Sequence, residues 1–210
     1  MKPPASMRSL ENFGRTRLSK HFYMRDFLYS EIGNFHSIPN LPDNPDLAIK
    51  AGKMLCTELL DPLEETFGRI AIRSGFRSQL LNRYGNENNL NCARNDANYG
   101  HHIWDVLDNG VMGAGTSLAI PWFADQYDQG RDWRDLAWWI HDHLPYSHMY
   151  FFPKLAAFNL SWREVPRRTI SSYIAPKGKL LAAGASPDEP IEERRARYAE
   201  FPPFRGIAYP

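Results

Sequence analysis

The sequence predicts an α+β domain in which an antiparallel sheet is flanked by helices. Three observations lead there. A long series of apolar residues repeats with helical period over residues 46–67. Short alternating or β-branched runs gather in the second half. These runs follow one another with hairpin-like spacing and do not alternate regularly with helices. The chain has 210 residues, 43% of them apolar. That supports one domain with a packed core, is too short for two large ones, and argues against disorder throughout. Twenty-five basic and 24 acidic side chains leave a net charge of +1. No basic excess points to nucleic acid, and no nucleic-acid partner is expected. No run approaches the ~20 apolar residues of a membrane span, so no membrane association is expected. The first residues lack the apolar core of a leader peptide, so the chain is expected to begin in the cytoplasm, with lysis, particle delivery or a secretion machine as routes outward.

The elements follow in order. Residues 1–17 read as a polar N-terminal arm, and His21 to Ser30 as one or two helical turns. Ile38 to Pro45 holds three prolines and reads as a loop, with Pro45 suited to the first turn of the next helix. From Asp46 to Phe67, Leu47, Ala51, Met54, Leu55, Leu59, Leu63 and Phe67 share one helical face. Pro62 should kink this helix and Gly68 should end it. Arg69 to Ser74 alternates and reads as a strand, Gln79 to Tyr84 as a short helix, and residues 85–100 as a polar loop. His101 to Asp108 and Ser117 to Phe123 read as strands joined by a glycine-rich connection. Asp132 to Leu144 is a second helix with Asp132 as N-cap and Asp135 three residues on, close to a capping box. His148 to Phe152, Phe158 to Glu164 and Thr169 to Ile174 read as strands. The main domain then spans residues 18–180, and residues 181–210 read as an extended tail without apolar period. Cys56 falls on an apolar helix face and Cys92 in the polar loop; their spacing leaves a disulfide open.

Four short segments carry a resemblance: Ser19-Lys20-His21-Phe22, Asn40-Leu41-Pro42, Leu60-Asp61-Pro62-Leu63 and Ser74-Gly75-Phe76-Arg77-Ser78. The last fits the pattern S-G-(Y/F)-R-S. On these residues the chain resembles the zinc D-Ala-D-Ala carboxypeptidase family, whose fold is shared with the Hedgehog signalling domain. The likeness is close from Leu18 to Ser78 and loose from there to about residue 180. It implies a Hedgehog/DD-peptidase-like fold, a zinc cofactor, and peptidoglycan peptides as substrate or ligand. It also implies that Arg77 grips a substrate carboxylate, a task that suits a guanidinium fork. Ser78, next to it, and Trp104 are the further candidate substrate contacts.

The family's second motif, S-x-H-x-x-G-x-A-x-D, supplies two zinc ligands, and a later W-x-H supplies the third. Three protein ligands and one water suit catalytic zinc. This sequence departs from that pattern, and two registers compete. In one, Gly113 and Gly115 take the motif's small positions, Gly110 stands in place of the histidine, Ser117 in place of the aspartate and Glu164 in place of the third ligand; this register lacks the metal site. In the other, His101 and Asp108 keep the ligand spacing, and Trp139-Ile140-His141 is the later motif.

The cluster His101, His102, Asp105 and Asp108, with His148 on a later strand, bears zinc-ligand side chains. His101, His102, Asp108 and His148 are the candidate metal ligands and Asp105 the candidate acid–base residue. The competing reading is that these side chains hydrogen-bond loop backbone. The functional expectation is a divergent D,D-carboxypeptidase- or endopeptidase-like protein. Its rival is a non-catalytic binding or assembly module, of the kind found in phage-type particles, that kept the groove and meets a peptidoglycan peptide or a protein partner.

Overall fold

A computed structural model describes residues 1–204. The chain forms α1 (Met7–Gly14), α2 (Glu31–His36), α3 (Pro45–Leu55), α4 (Asp61–Phe67), β1 (Ala71–Ser74), α5 (Gln79–Glu87) and α6 (Asn95–Asn98). There follow β2 (Gly113–Ala119), α7 (Pro121–Asp128), α8 (Trp133–His143), β3 (His148–Phe151), β4 (Phe158–Arg163), β5 (Thr169–Ser172), β6 (Gly178–Leu181) and α9 (Ile191–Arg197). The strands make one six-stranded sheet in the order β1-β2-β4-β3-β5-β6. Every pairing is antiparallel except β3 with β5. The expected class, mixed α and β with a mostly antiparallel sheet, is what the chain adopts. No helix among the described residues is long and apolar enough to cross a membrane.

The long helix keeps its predicted span with one local change. Between α3 and α4, Cys56–Leu60 widens into a π-helical turn. Pro62 has no N–H to give the carbonyl of Glu58, and a looser turn just before it accommodates that loss. Gly68 ends the helix with φ +78°.

Strand alternation separates two faces of the sheet. Ala114 and Leu118 of β2, Phe158, Leu160 and Trp162 of β4, Met149 and Phe151 of β3, and Ile170 of β5 are buried on one face, in the hydrophobic core that also holds Ala51 and Leu55 of α3 and Leu136 and Ile140 of α8. The opposite face carries Gly115 and Ser117 of β2, Asn159 and Ser161 of β4, His148 and Tyr150 of β3, and Thr169 and Ser171 of β5.

Besides α6 and the last turn of α5, which fall in the expected polar loop, four stretches differ from the sequence reading. The supposed N-terminal arm contains α1, opened by a capping box in which Ser6 and Ser9 bond each other's backbone N–H, and Phe13 on it is buried. His101 to Asp108 is a folded loop and not a strand. His102, Ile103, Trp104 and Asp105 are buried one after another, which a strand's alternation does not permit. β2 starts at Gly113, in the segment expected to be a connection, and ends at Ala119, where Pro121 opens α7. A side chain at Gly113 would meet the carbonyl oxygens of Gly100 at 2.8 Å and Trp162 at 3.0 Å, so glycine is what lets neighbouring chain pass so close.

The fourth is the C-terminal segment, expected to be extended. It forms β6 and α9 and returns to the core. Arg194 pairs with Asp142 of α8, Arg197 bonds Asp135 and Glu189, and the Tyr198 hydroxyl donates to Asp142. Phe201 packs edge-on against Phe67 and Trp122 and lies under the Arg131 guanidinium. The part of the expected tail at 205–210 lies outside the described residues.

Phe201→Ala should therefore destabilise the protein by about 3 kcal/mol, the usual cost of emptying a buried aromatic site. Urea unfolding followed by circular dichroism measures it. A loose arm would show a change within about 0.5 kcal/mol.

Candidate functional site

Two rows of polar side chains cross the open face of the sheet. In the first, Gly115, Ser161, His148 and Thr169 lie side by side on β2, β4, β3 and β5; in the second, Ser117, Asn159, Tyr150 and Ser171 do so. Neighbours on paired strands stand about 5 Å apart, and the rows are about 7 Å apart along the strands. The Ser117 hydroxyl donates to Oδ1 of Asn159 across β2 and β4.

This pair stands between two hollows. A large cleft of about 1030 Å³ has Ser117 in its wall together with Tyr29, Phe152 and Tyr173, the cations Arg73 and Lys154, and the acid Glu31. Phe152 and Tyr173 belong to a ring cluster with Tyr150, whose centroid lies 4.9 Å from that of Tyr173. On the other side, a small pocket of about 160 Å³ is lined by Asn159, Ser161 and all three of His101, His102 and His148.

The loop over residues 98–105 supplies Asn98, His101 and His102 to the small pocket. The Gly115 N–H donates to the His101 carbonyl at 2.6 Å, and the Trp104 indole N–H donates to the Gly115 carbonyl at 3.0 Å. His101 is thereby laid over β3, with its ring 5.7 Å from that of His148 and nearly perpendicular to it. His148 holds Thr169 Oγ1 at 2.7 Å through Nδ1. His102 bonds the Gly75 carbonyl through Nδ1 at 2.8 Å. A carbonyl only accepts, so this Nδ1 carries the proton and Nε2 bears the lone pair. All three imidazoles are held neutral. Burial pushes His101 down to about 3, helped by His148 and by the guanidinium groups of Arg163 and Arg167. Burial and Arg167 take His148 down to about 4. Burial and Arg77 take His102 well below the usual range.

The remaining predicted site residues have other duties. Arg77 is tied to the end of β1 and to the loop that follows: its guanidinium reaches Cys92 Sγ at 3.1 Å, Asn82 Oδ1 at 3.3 Å and Ser74 Oγ at 3.4 Å. Burial lowers its pKa, yet an arginine stays charged. It stiffens the turn after β1 and is bonded to Ser74 and Cys92, two residues of the cleft wall. Ser78 caps α5, accepting the Leu81 N–H at 3.2 Å. Trp104 has no exposed surface and packs against Phe27 and Phe76 below the sheet, so it is a core residue and not a substrate contact. Asp105 accepts the Asp43 N–H at 2.7 Å and holds the turn before α3; burial raises its pKa, and it lines neither hollow. Asp108 lies between Arg163 at 2.7 Å and Arg167 at 3.0 Å. Cys56 and Cys92 are free thiols.

The implied zinc does not fit these residues. In the first register, Gly110 sits in a turn at φ +81° and Ser117 is bonded to Asn159. Glu164 lies beyond the end of β4, where it accepts the Met112 N–H at 2.8 Å. The β4 residue that faces Ser117 is Asn159, so the position of a partner ligand falls there and not on Glu164. In the second register, Asp108 is engaged by two arginines, and His141 on α8 bonds the Tyr146 hydroxyl at 2.9 Å. Among the described residues no group of three His, Cys, Asp or Glu is placed to hold a metal ion. Asn159, Ser161 and Thr169 were missed from sequence. The alternation of Phe158-Asn159-Leu160-Ser161-Trp162-Arg163 carried the signal, since it turns every second, polar side chain of β4 to one face. Comparison with protein-family models, curated proteins and solved structures finds no match to this chain.

The neutral histidines set a pH dependence. His101, His148 and His141, the last also at about 4, have folded pKa values below the unfolded 6.5. Their contribution is present in full above pH 6.5 and is lost as pH falls towards their folded values, because the unfolded chain binds the extra protons. Stability should fall on acidification from about pH 6.5 to 4.5. His148→Gln should reduce that slope by up to about 1.4 kcal/mol per pH unit in urea titrations. An unchanged slope would show that His148 is not held neutral.

Proposed function

We propose that this protein binds short peptides of the cell-wall type, ending in D-alanine, across the open face of its sheet, and that it binds without hydrolysing them. The observation that carries this reading is the Ser117–Asn159 hydrogen bond at the centre of that face. The resemblance implies an aspartate ligand at position 117. Serine there, bonded to an amide from the adjoining strand, makes a polar floor for a ligand and a poor cage for a divalent cation, which prefers thiolate, imidazole or carboxylate.

The shape of the face supports a peptide. The large cleft combines a polar floor with Tyr29, Phe152 and Tyr173, and its two cations outnumber its one acid. Aromatic walls with a few placed polar groups are the usual build of a ligand cleft. A short peptide with a free carboxylate offers apolar side chains to the rings and charge to Arg73 or Lys154.

The test uses diacetyl-Lys-D-Ala-D-Ala. Calorimetric titration should show saturable binding, weakened about tenfold by Lys154→Glu through loss and reversal of one charge contact. Release of free D-alanine should stay at the uncatalysed level with zinc supplied. Zinc-dependent release of D-alanine would overturn the non-hydrolytic reading, and absence of binding would overturn the peptide.

A further inference from the structure

The small pocket has in its wall a buried hydroxyl that no described residue meets. Ser161 Oγ is buried, with 2% of the residue exposed, and has no hydrogen-bond partner. It lines the pocket beside His101 and His148. His148 and His102, also in that wall, are hydrogen-bonded through Nδ1. Buried polar groups are as a rule paired, so an unmet hydroxyl in the wall of a hollow marks a place for a hydrogen-bonding ligand.

The charges around the pocket choose the kind of ligand. Arg163 comes from β4, Arg167 from the turn that follows it, and Arg77 from behind His102; all three press on these imidazoles. Asp108 faces Arg163 and Arg167 and is bonded by both, while Glu31 faces Arg77. Three guanidinium groups against the two carboxylates of Asp108 and Glu31 leave a net positive field. That field repels a cation and attracts an anion.

We infer that this pocket is an oxyanion-binding subsite, in which Ser161 and the imidazoles of His101 and His148 hold a carboxylate or a sulfate-like tetrahedral anion and one imidazole takes up a proton as the anion enters. Ser161 donates its hydroxyl proton in a hydrogen bond. The imidazole adds an N–H donor once protonated, and the arriving negative charge stabilises that imidazolium. The proton comes from solvent, and no covalent bond changes. A cavity of about 160 Å³ has room for such a group, since roughly 150 Å³ holds a benzene. The inference goes beyond the peptide reading and does not need it. The oxyanion has two sources, a free inorganic anion or the end of a peptide chain.

Calorimetry on the full chain separates these outcomes. Inorganic sulfate, acetyl-Ala-Ala as the free acid and acetyl-Ala-Ala amide are titrated at about pH 5.5 and 7.5, each in two buffers of different ionisation enthalpy. Sulfate or the acid should bind about tenfold or more tightly at the lower pH, with net proton uptake, because protonation of one imidazole is linked to binding. The amide should not bind in this pH-dependent way. Sulfate tighter than the acid identifies a free anion as the source; the reverse identifies a peptide terminus. Ser161→Ala and, independently, His101→Gln should each weaken binding about tenfold while the thermal melt shows a folded protein. Binding without proton uptake, equal affinity for acid and amide, or unaltered affinity in both folded variants would overturn the proposal. Failure of all three ligands at the lower pH would overturn it as well, and would leave the D-alanine peptide result standing by itself.

Discussion

The peptide group of Gly115 is the constraint on which the rest of the site depends. β1 ends at Ser74, opposite Ser117, so past that point β2 has no strand on its outer edge. The loop over residues 98–105 takes the place of one: His101 receives the Gly115 N–H and Trp104 gives its indole N–H to the Gly115 carbonyl. A strand edge with open N–H and C=O groups must find partners, and here it finds them in the loop that carries the histidines. A side chain at Gly115 would stand 3.1 Å from the Leu160 carbonyl and 3.0 Å from Ser161 Cβ. Glycine therefore lets β4 and the loop close on β2 together. The pocket between His101 and His148 follows from that closure.

The same arrangement explains why ligand-type residues do not make a ligand set. Asp108 is drawn off by two arginines, His102 by the Gly75 carbonyl and Asp105 by the turn before α3. Asp108 and Nδ1 of His102 are thereby satisfied by local structure, the ordinary fate of such groups, whereas Oδ1 of Asp105 stays buried without a hydrogen-bond partner among the described residues. What is left on the open face is a floor of serine, threonine and asparagine with two imidazoles kept neutral by burial and by positive neighbours.

Much of the fold could be read from residue order, and the reasons are specific. The helix over 46–67 and the strands β3, β4 and β5 follow apolar periodicity and were placed within a few residues. β2 was misplaced at its start because its glycines look like loop, whereas they serve close packing. α9 was missed because its attachment is made of charge pairs, Arg194 with Asp142 and Arg197 with Asp135 and Glu189, which leave no apolar stripe. α1 was missed for a related reason, since its signal is a Ser6–Ser9 capping box in a polar stretch. Of the site, His101, His102 and His148 were picked out as a cluster, and they do line one pocket. For Arg77 the motif locates the residue, while its bonds to Cys92 and Asn82, several residues downstream, were not legible in it.

The central claim is that the face over Ser117 and Asn159 is a binding floor and not a metal centre. Diffraction at the zinc absorption edge from zinc-soaked crystals tests it most directly. The account predicts no anomalous peak within coordination distance of Ser117, Asn159 or the three pocket histidines. A strong peak there, held by three protein ligands with one position open, would contradict it.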